Sequence, residues 1–337
     1  MVQSDGFKMT FNTCAVFEIA VAVATRNRPV MLQKCLESFL SMEVPFGVTV
    51  DYLIVENNEA LTMDPIVDEF ARQLVHPHSV ELLHEPELGI PFARNRALDA
   101  AAARQSRWLI FVDDDETVDH QWLSKLLFGA EANSYDLAGG PVTPTRPEGE
   151  VSRKQQSIYE QYVSDAHRRL VARNKGVAAR RKDHIDLETN NWIGRVSSLQ
   201  KAGLRFDESM RHTGGTDTDL SRRASKLGLK LGWIPEAMVY EVMRHDRLTL
   251  RYIYKRSRSQ TLAKFYIRYR KHGCGNIVRP LAMALQKAIV GSARLAVGVL
   301  AGTRMQVKGA RTLGVAAGYL QGVLGNSSDF YAQTGGE

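Results

Sequence analysis

Between Glu18 and Ala132 the chain switches four times from a short apolar run to a segment with helical spacing, and this alternation limits its fold more than any other feature. The apolar runs are EIAVAVAT (18–25), VTVDYLIVENN (48–58), SVELLHEP (79–86) and WLIFVDDD (108–115). Their length and their polar boundaries fit buried strands. After the first run, Leu32, Cys35, Leu36, Phe39 and Leu40 recur at helical spacing, and Pro29 suits a first helical turn. Residues 64–75 read as a second helix. The alanine-rich stretch Pro91 to Arg104 reads as a third, and HQWLSKLLFGAEA as a fourth. Strict alternation with short connections predicts an α/β domain on a mainly parallel, Rossmann-like central sheet.

In such sheets ligands bind beyond the carboxyl ends of the strands. The residues closing three of the runs should therefore share one rim: Thr25-Arg26-Asn27, Glu56-Asn57-Asn58 and Asp113-Asp114-Asp115. Glu116 follows directly, so four carboxylates stand in a row and repel one another unless something positive joins them. An Asp-x-Asp cluster offers hard oxygen ligands to Mg²⁺ or Mn²⁺, ions that complete their shells with water and phosphate oxygens. The competing reading is a solvated acidic turn that caps the following helix.

Beyond residue 146 the pattern loosens. RPEGEVSRKQQ (146–156) reads as a loop. Residues 167–182 hold Arg168, Arg169, Arg173, Lys175, Arg180, Arg181 and Lys182 without an acid; Gly176 suggests a mobile basic loop over an anionic acceptor, and the competing reading is a solvated basic face. Thr216 to Leu227 is helical, with Leu220, Ala224 and Leu227 on one face and Gly228 ending it. LKLGWIP and AMVYEV are short strands. From Leu250 the pattern is helix only. These changes divide the chain into a leader (1–15), a main domain (16–260) and a basic, apolar helical region (261–337).

The formal net charge is +7 and the pI about 9.3, which points to an anionic partner. No basic platform interleaved with aromatic residues is present, so nucleic acid is not expected. Three widely spaced cysteines, Cys14, Cys35 and Cys274, support neither a disulfide framework nor a zinc site, and a reducing compartment is expected. Residues 1–14 lack the apolar core of a secretory signal. The longest apolar tract, Leu281 to Gly302, is broken by Gln286, Lys287, Ser292 and Arg294. A surface-lying helix suits it better than a spanning one. With Arg251 to Lys271 it suits peripheral contact with an anionic bilayer. The other reading packs the helical region on the main domain or on a second subunit, as a homo-oligomer.

Five short motifs occur in order: VATRNRP (23–29), LIVENN (53–58), Gly89-x-x-x-Ala93-Arg94-Asn95, FVDDDE (111–116) and GGTDTDL (214–220). Together they resemble the inverting glycosyltransferases of family 2, which have the GT-A fold. The resemblance covers roughly residues 16–260. With the helical tail, the chain is similar to bacterial exopolysaccharide transferases of the succinoglycan type.

That resemblance implies a metal-dependent enzyme. It would move a sugar from a nucleotide-diphospho-sugar, with a UDP-sugar expected, to a saccharide or lipid-linked saccharide in cell-surface or exopolysaccharide synthesis. It would act in the cytoplasm at the inner face of the membrane. The resemblance places Thr25, Arg28, Glu56, Arg94, Asn95, Asp113 and Asp114 at the nucleotide, and Asp113 and Asp115 at the metal. Glu56 stands where an aspartate is usual. Asp217 is the implied base, although its usual acidic neighbour is replaced by Thr216. Some members place a histidine after the last strands. Glu241 occupies that position here, and His245 lies near it as a further candidate metal ligand. Asn190, Asn191 and Trp192 border the sugar or acceptor by the same resemblance; the competing reading is a strand that packs Trp192 in the core. A sugar-phosphate nucleotidyltransferase is an alternative, against which no Gly-rich, Lys- or Arg-bearing loop follows the first strand. A non-catalytic, membrane-associated nucleotide-binding protein is another.

Overall fold

The computed structural model describes residues 17–178, 185–211, 214–271 and 277–325. The leader, Cys14, Cys274, Arg180, Arg181 and Lys182 lie outside the described residues. The first part of the chain runs β1 (Phe17–Thr25), α1 (Pro29–Leu40), β2 (Val48–Glu56), α2 (Asp64–Gln73), β3 (Ser79–His84), α3 (Ile90–Ala103), β4 (Trp108–Asp113), β5 (Glu116–Val118) and α4 (Trp122–Ala132). Then come β6 (Leu137–Gly139), β7 (Val142–Thr145), α5 (Arg153–Ala178), β8 (Asn191–Arg195), α6 (Val196–Lys201), α7 (Thr216–Lys226), β9 (Leu231–Trp233) and β10 (Val239–Val242). The helices α8 (Leu250–Phe265), α9 (Val278–Ala301) and α10 (Thr303–Val323) follow.

The central sheet has the order β3-β2-β1-β4-β8-β6-β9. Its first four strands are parallel, and β8 enters antiparallel between β4 and β6. Side chains alternate between the two faces of each strand. On β1, Ile19, Val21 and Val23 face a cluster with Leu32, Leu36 and Phe39 of α1, while Ala20 and Ala22 face α3. Because α3 presents Ala93, Ala97 and Ala101 to those alanines, helix and sheet approach closely. The same parity runs through β4, with Trp108, Ile110 and Val112 on the α1 side and Leu109 and Phe111 on the α3 side. Each fully buried Val, Leu, Ile or Phe among them contributes roughly 1.5–3 kcal/mol over exposure.

A second, three-stranded sheet has β10 between β5 and β7. Its register sets Glu241 directly opposite Glu116. Like charges placed so are destabilising, and the site must relieve them.

Within the basic run read as a loop, residues 167–178 are instead the end of α5, which is continuous from Arg153 to Ala178. The stretch contains no proline, its Lys, Arg, Gln and Ala residues favour helix, and one glycine costs only about 1 kcal/mol. Two of its cations are engaged. Arg168 pairs with Asp165, and the Arg173 guanidinium lies 4.2 Å from the centre of the Trp233 ring.

Position 260, read as a boundary, falls inside α8. The C-terminal helices join the body through a small core of Ile158 from α5, Met243, Leu248, Ile253 and, from α10, Val307 and Ala310. Helix α10 meets α8 along Gly314, Gly318 and Gly322, one glycine per turn. A Cβ at Gly318 would lie 2.6 Å from the Arg258 carbonyl oxygen and 2.7 Å from Thr261 Cβ. The backbones touch there, so overpacking has no flexible side chain to displace. Gly318→Val should cost about 1–3 kcal/mol, read as a lowered midpoint in thermal or urea unfolding. An unchanged midpoint would show that the α8–α10 contact does not hold the tail.

Candidate active site

The strand parity that builds the core also sorts the rim carboxylates. Asp113 pairs in register with Ala24 and falls on the α3 side of the sheet. There the Arg94 Nη2 lies 3.9 Å from its Oδ1, and nearly half of the Asp113 side chain (46%) stays open to the cleft. Asp114 turns to the α1 side. It accepts hydrogen bonds from Thr25 Oγ1 (2.8 Å) and Arg28 Nη1 (2.8 Å) and is almost fully buried. Asp115 reaches toward the second sheet, where Arg247 donates to it, and Arg28 Nη1 lies 3.9 Å away. Arg247 also donates to Glu241, so one guanidinium ties together two acids from different sheets.

Burial works against the Arg247 charge, but Asp115, Tyr252 and Glu241 outweigh it and raise its pKa further. Glu116 sits beneath the cluster, fully buried. Its Oε2 accepts from the Asp113 backbone N–H (3.2 Å) and its Oε1 from Asn190 Nδ2 (2.8 Å). Burial, then repulsion from Asp113, Asp115 and Glu241, pushes the Glu116 carboxyl well above the usual range. Enclosure in the cleft raises Asp113 as well. Arg94 pulls it back, and Asp115 and Asp114 push it further up. The positive charge that the sequence demands at this rim thus comes in part from the chain itself, through Arg28, Arg94 and Arg247.

Across the cleft, Gly215 takes a left-handed conformation (φ 80°) as the N-cap of α7. A side chain there would be strained. The turn sets Thr216 and Asp217 at the helix start. Arg94 Nη1 donates to Thr216 Oγ1 (3.0 Å), so this arginine spans from the acidic rim to α7. Asp217 is partly buried and accepts from the Thr218 backbone N–H (2.7 Å). Burial raises its pKa, Arg94 and the Thr218 N–H lower it, and Glu188 adds repulsion. Asp219, two residues on, is buried and holds Arg223 at 2.8 Å. Asp217 is the carboxylate of this turn left facing the cleft side.

Several residues read as ligand contacts are engaged by the scaffold in this structure. Glu56 is fully buried. Its Oε1 accepts from Thr62 Oγ1 (2.5 Å), and its Oε2 from the backbone N–H groups of Thr62 (2.7 Å) and Met63 (3.0 Å), which anchors the loop into α2. Asn95 is buried and bonds both Phe206 backbone groups and the Glu208 carboxylate. Asn191 accepts from Trp122 Nε1 (2.9 Å) and donates to the Pro141 and Ala237 carbonyls. Trp192 packs on Phe111 inside the α3-side core, with ring centres 5.5 Å apart, as the strand reading anticipates. Asn190 borders the acidic rim through Glu116. His245 is exposed and lines a pocket that Asp115 and Glu116 also line, but both of its ring nitrogens are engaged: Nε2 meets the Glu148 carbonyl (2.7 Å) and Nδ1 faces Gln155. The residue that reaches the rim from this turn is Arg247, two positions on.

The sequence reading passed over Arg247, because nothing local links it to aspartates 132 residues earlier. It also assigned no role to Asn57. That side chain donates to the carbonyls of Glu85 and Glu87 and accepts from the Gly89 N–H, fastening the loops after β2 and β3 to the start of α3. Its place at a strand's carboxyl end was the available signal.

Among the described residues, no three His, Cys, Asp or Glu side chains form a ready cage for a metal. The donor set still fits a hard divalent cation in kind. Asp113 offers open, charge-crowded carboxylate oxygens beside Asp115, and such ions take their remaining ligands from phosphates and water.

The model of the family described as glycosyl transferase family 2 matches residues 20–203, more than half of the chain. The chain belongs to glycosyltransferase family 2. This family 2 member is 29% identical over 245 residues to the succinoglycan biosynthesis protein ExoM of Rhizobium meliloti (strain 1021), a match covering 71% of each chain. Among solved structures it is similar to the mannosyltransferase PcManGT from Pyrobaculum calidifontis, solved with GDP-Man and Mn²⁺, with a TM-score of 0.60 and 16% identity over 90% of this chain and 86% of that one. It also matches S. aureus TarS, with a TM-score of 0.47 and 13% identity over 88% of this chain, and spans 55% of TarS. The glycosyltransferase thus has a mostly parallel, helix-flanked GT-A sheet with a helical C-terminal part.

Removing Arg247 leaves Asp115 and Glu241 without the cation they share. Arg247→Ala should cost about 3–5 kcal/mol in unfolding. Added Mn²⁺ should raise its melting temperature more than that of the unaltered protein, because the freed carboxylates gain a ligand that binds only the folded chain. Equal Mn²⁺ shifts in both proteins would show that Arg247 does not compete for the acidic rim.

Proposed function

We propose that this enzyme catalyses inverting transfer of a sugar from a nucleotide-diphospho-sugar to a hydroxyl of a saccharide or lipid-linked saccharide, in exopolysaccharide assembly. The observation that carries the reading is the span of Arg94. One guanidinium lies 3.9 Å from Asp113 on the rim and 3.0 Å from Thr216 beside Asp217, so an acidic phosphate-side wall and a carboxylate base face the same gap. The succinoglycan relative supports the pathway class, and the family supports the donor class. A lipid-linked acceptor would bring the enzyme to a membrane surface.

In this reading the donor's diphosphate lies over the rim formed by Thr25, Arg28, Asp113 and Asp115. A divalent cation held by Asp113 and Asp115 would neutralise charge on that diphosphate. Asp217 accepts the proton of the acceptor hydroxyl as its oxygen attacks the anomeric carbon. The bond from that carbon to the diphosphate oxygen breaks on the opposite side, and nucleoside diphosphate leaves. Arg94 holds the two walls in register. Its position over the Phe206 ring, 5.5 Å from the centre, keeps the guanidinium from swinging away.

Asp217→Asn should lower kcat by about 10²–10⁴-fold while nucleoside diphosphate still shifts the melting temperature. Because the Asp217 pKa is raised above the ordinary aspartate value, its carboxylate form is lost at higher pH than usual. The rate should therefore fall as pH drops through that raised value, on a limb that Asp217→Asn removes. Asp115→Ala should abolish any Mn²⁺-dependent shift produced by UDP or GDP. Full activity in both variants would overturn the assignment. Release of pyrophosphate in place of nucleoside diphosphate would favour nucleotidyl transfer.

A further inference from the structure

Helix α9 is the outer layer of the C-terminal helices. It packs on α10, and α10 packs on α8. Its inner side is set by Ala284, Gly291 and Gly298, with Cβ positions at the two glycines only 2.8 Å from Leu313 and Gln306 of α10. Its outer side carries Leu281, Leu285 (66% exposed), Ile289 (63%), Ala296, Val299 (74%) and Leu300 (94%). With the exposed Ser292 between Ile289 and Ala296, these positions fall on one face along a helix of about 36 Å. Soluble monomers seldom expose so long an apolar stripe.

The charge of the same region is one-sided. From Arg247 to Ser328 the chain has fifteen Lys and Arg and no Asp or Glu. The remainder carries 29 Lys and Arg against 37 Asp and Glu, so the whole positive excess of the protein belongs to this helical layer. Arg279 and Arg294 on α9, with Arg304 and Lys308 on α10, are exposed beside the stripe's helix pair.

We propose that α9 lies flat on an anionic lipid bilayer, with the stripe from Leu281 to Leu300 in the acyl boundary and the cations of α9 and α10 at the headgroup phosphates. The charge pattern decides between occupants. A second copy docked through the same face would set cation against cation, because a two-fold contact places identical patches together and this layer has no acid to answer them. An anionic headgroup layer supplies the missing sign. Spanning, for which α9 is long and apolar enough, would carry Lys287 and Arg294 from mid-helix into the hydrocarbon and strip α10 of its partner. The surface rests on the proposed transfer reaction only for its purpose, access to a lipid-linked acceptor.

The test is flotation of the full chain, without nucleotide, on vesicles of phosphatidylcholine alone or with about one third phosphatidylglycerol. The protein should float with the anionic vesicles, about tenfold less with the neutral ones, and less as salt rises. Leu285→Glu with Ile289→Glu should lower the bound fraction about tenfold. Both sites are exposed, so the fold is not at stake, and the pair should leave transfer to a soluble acceptor unchanged. Binding that survives the double variant, no binding to anionic vesicles, or resistance to extraction by high salt and alkali would overturn the proposal. So would a dimer in sedimentation analysis that the double variant abolishes without any vesicle binding. Loss of transfer in Asp217→Asn with flotation intact bears on the reaction alone.

Discussion

Asp113 closes the central strand of this protein, and Asp114 and Asp115 form the turn that leads into β5, so the three aspartates do not share one side. Asp113 falls toward α3, Asp114 toward α1, and Asp115 projects on toward the second sheet. Each meets a different arginine, from a different element: Arg94, Arg28 and Arg247. A cluster that would repel itself in an isolated peptide is thereby distributed over three cation contacts. The loops carrying those arginines are in turn fixed by the cluster. Asp114 holds the β1–α1 loop through Thr25 and Arg28, while Arg247 draws the turn before α8 onto the rim.

Much of what reads as a ligand motif is the framework for this arrangement. The Arg94-Asn95 pair divides the labour: Arg94 spans the cleft, and Asn95, one residue further round the helix, is buried against Phe206 and Glu208. Glu56 and Asn57 likewise hold loops, through backbone N–H and carbonyl groups that would otherwise be buried without partners. Polar side chains at strand ends have two possible employers, ligand and loop. Whichever is nearer in the folded chain takes them. Asp113, by contrast, keeps nearly half of its side chain open.

The C-terminal helices extend the same logic of contact. Glycines on α10 let it lie against α8 at backbone distance, and α8 begins three residues after Arg247. The helical layer and the acidic rim are therefore mechanically continuous. The layer also carries the protein's entire positive excess, while the body that holds the site is net acidic.

The sequence by itself determined the alternation of elements, the parallel strands with their small and large faces, and the rim where Thr25, Glu56 and Asp113 end their strands. Those features follow from local periodicity, and local periodicity survives without tertiary contacts. Asp217 was singled out by the family resemblance, and the folded chain engages its neighbour Asp219 with Arg223. The tertiary structure alone decided which polar groups were free. Asn95, Asn191 and Trp192 were drawn inside by partners far away in sequence, while Glu56 was taken up by Thr62 and Met63 of the loop that follows it. Arg247 reached Asp115 because β10 pairs with β5 and brings the segment after it to the rim. A charge pair between residues 132 apart has no periodicity to announce it, so only the folded register could reveal it.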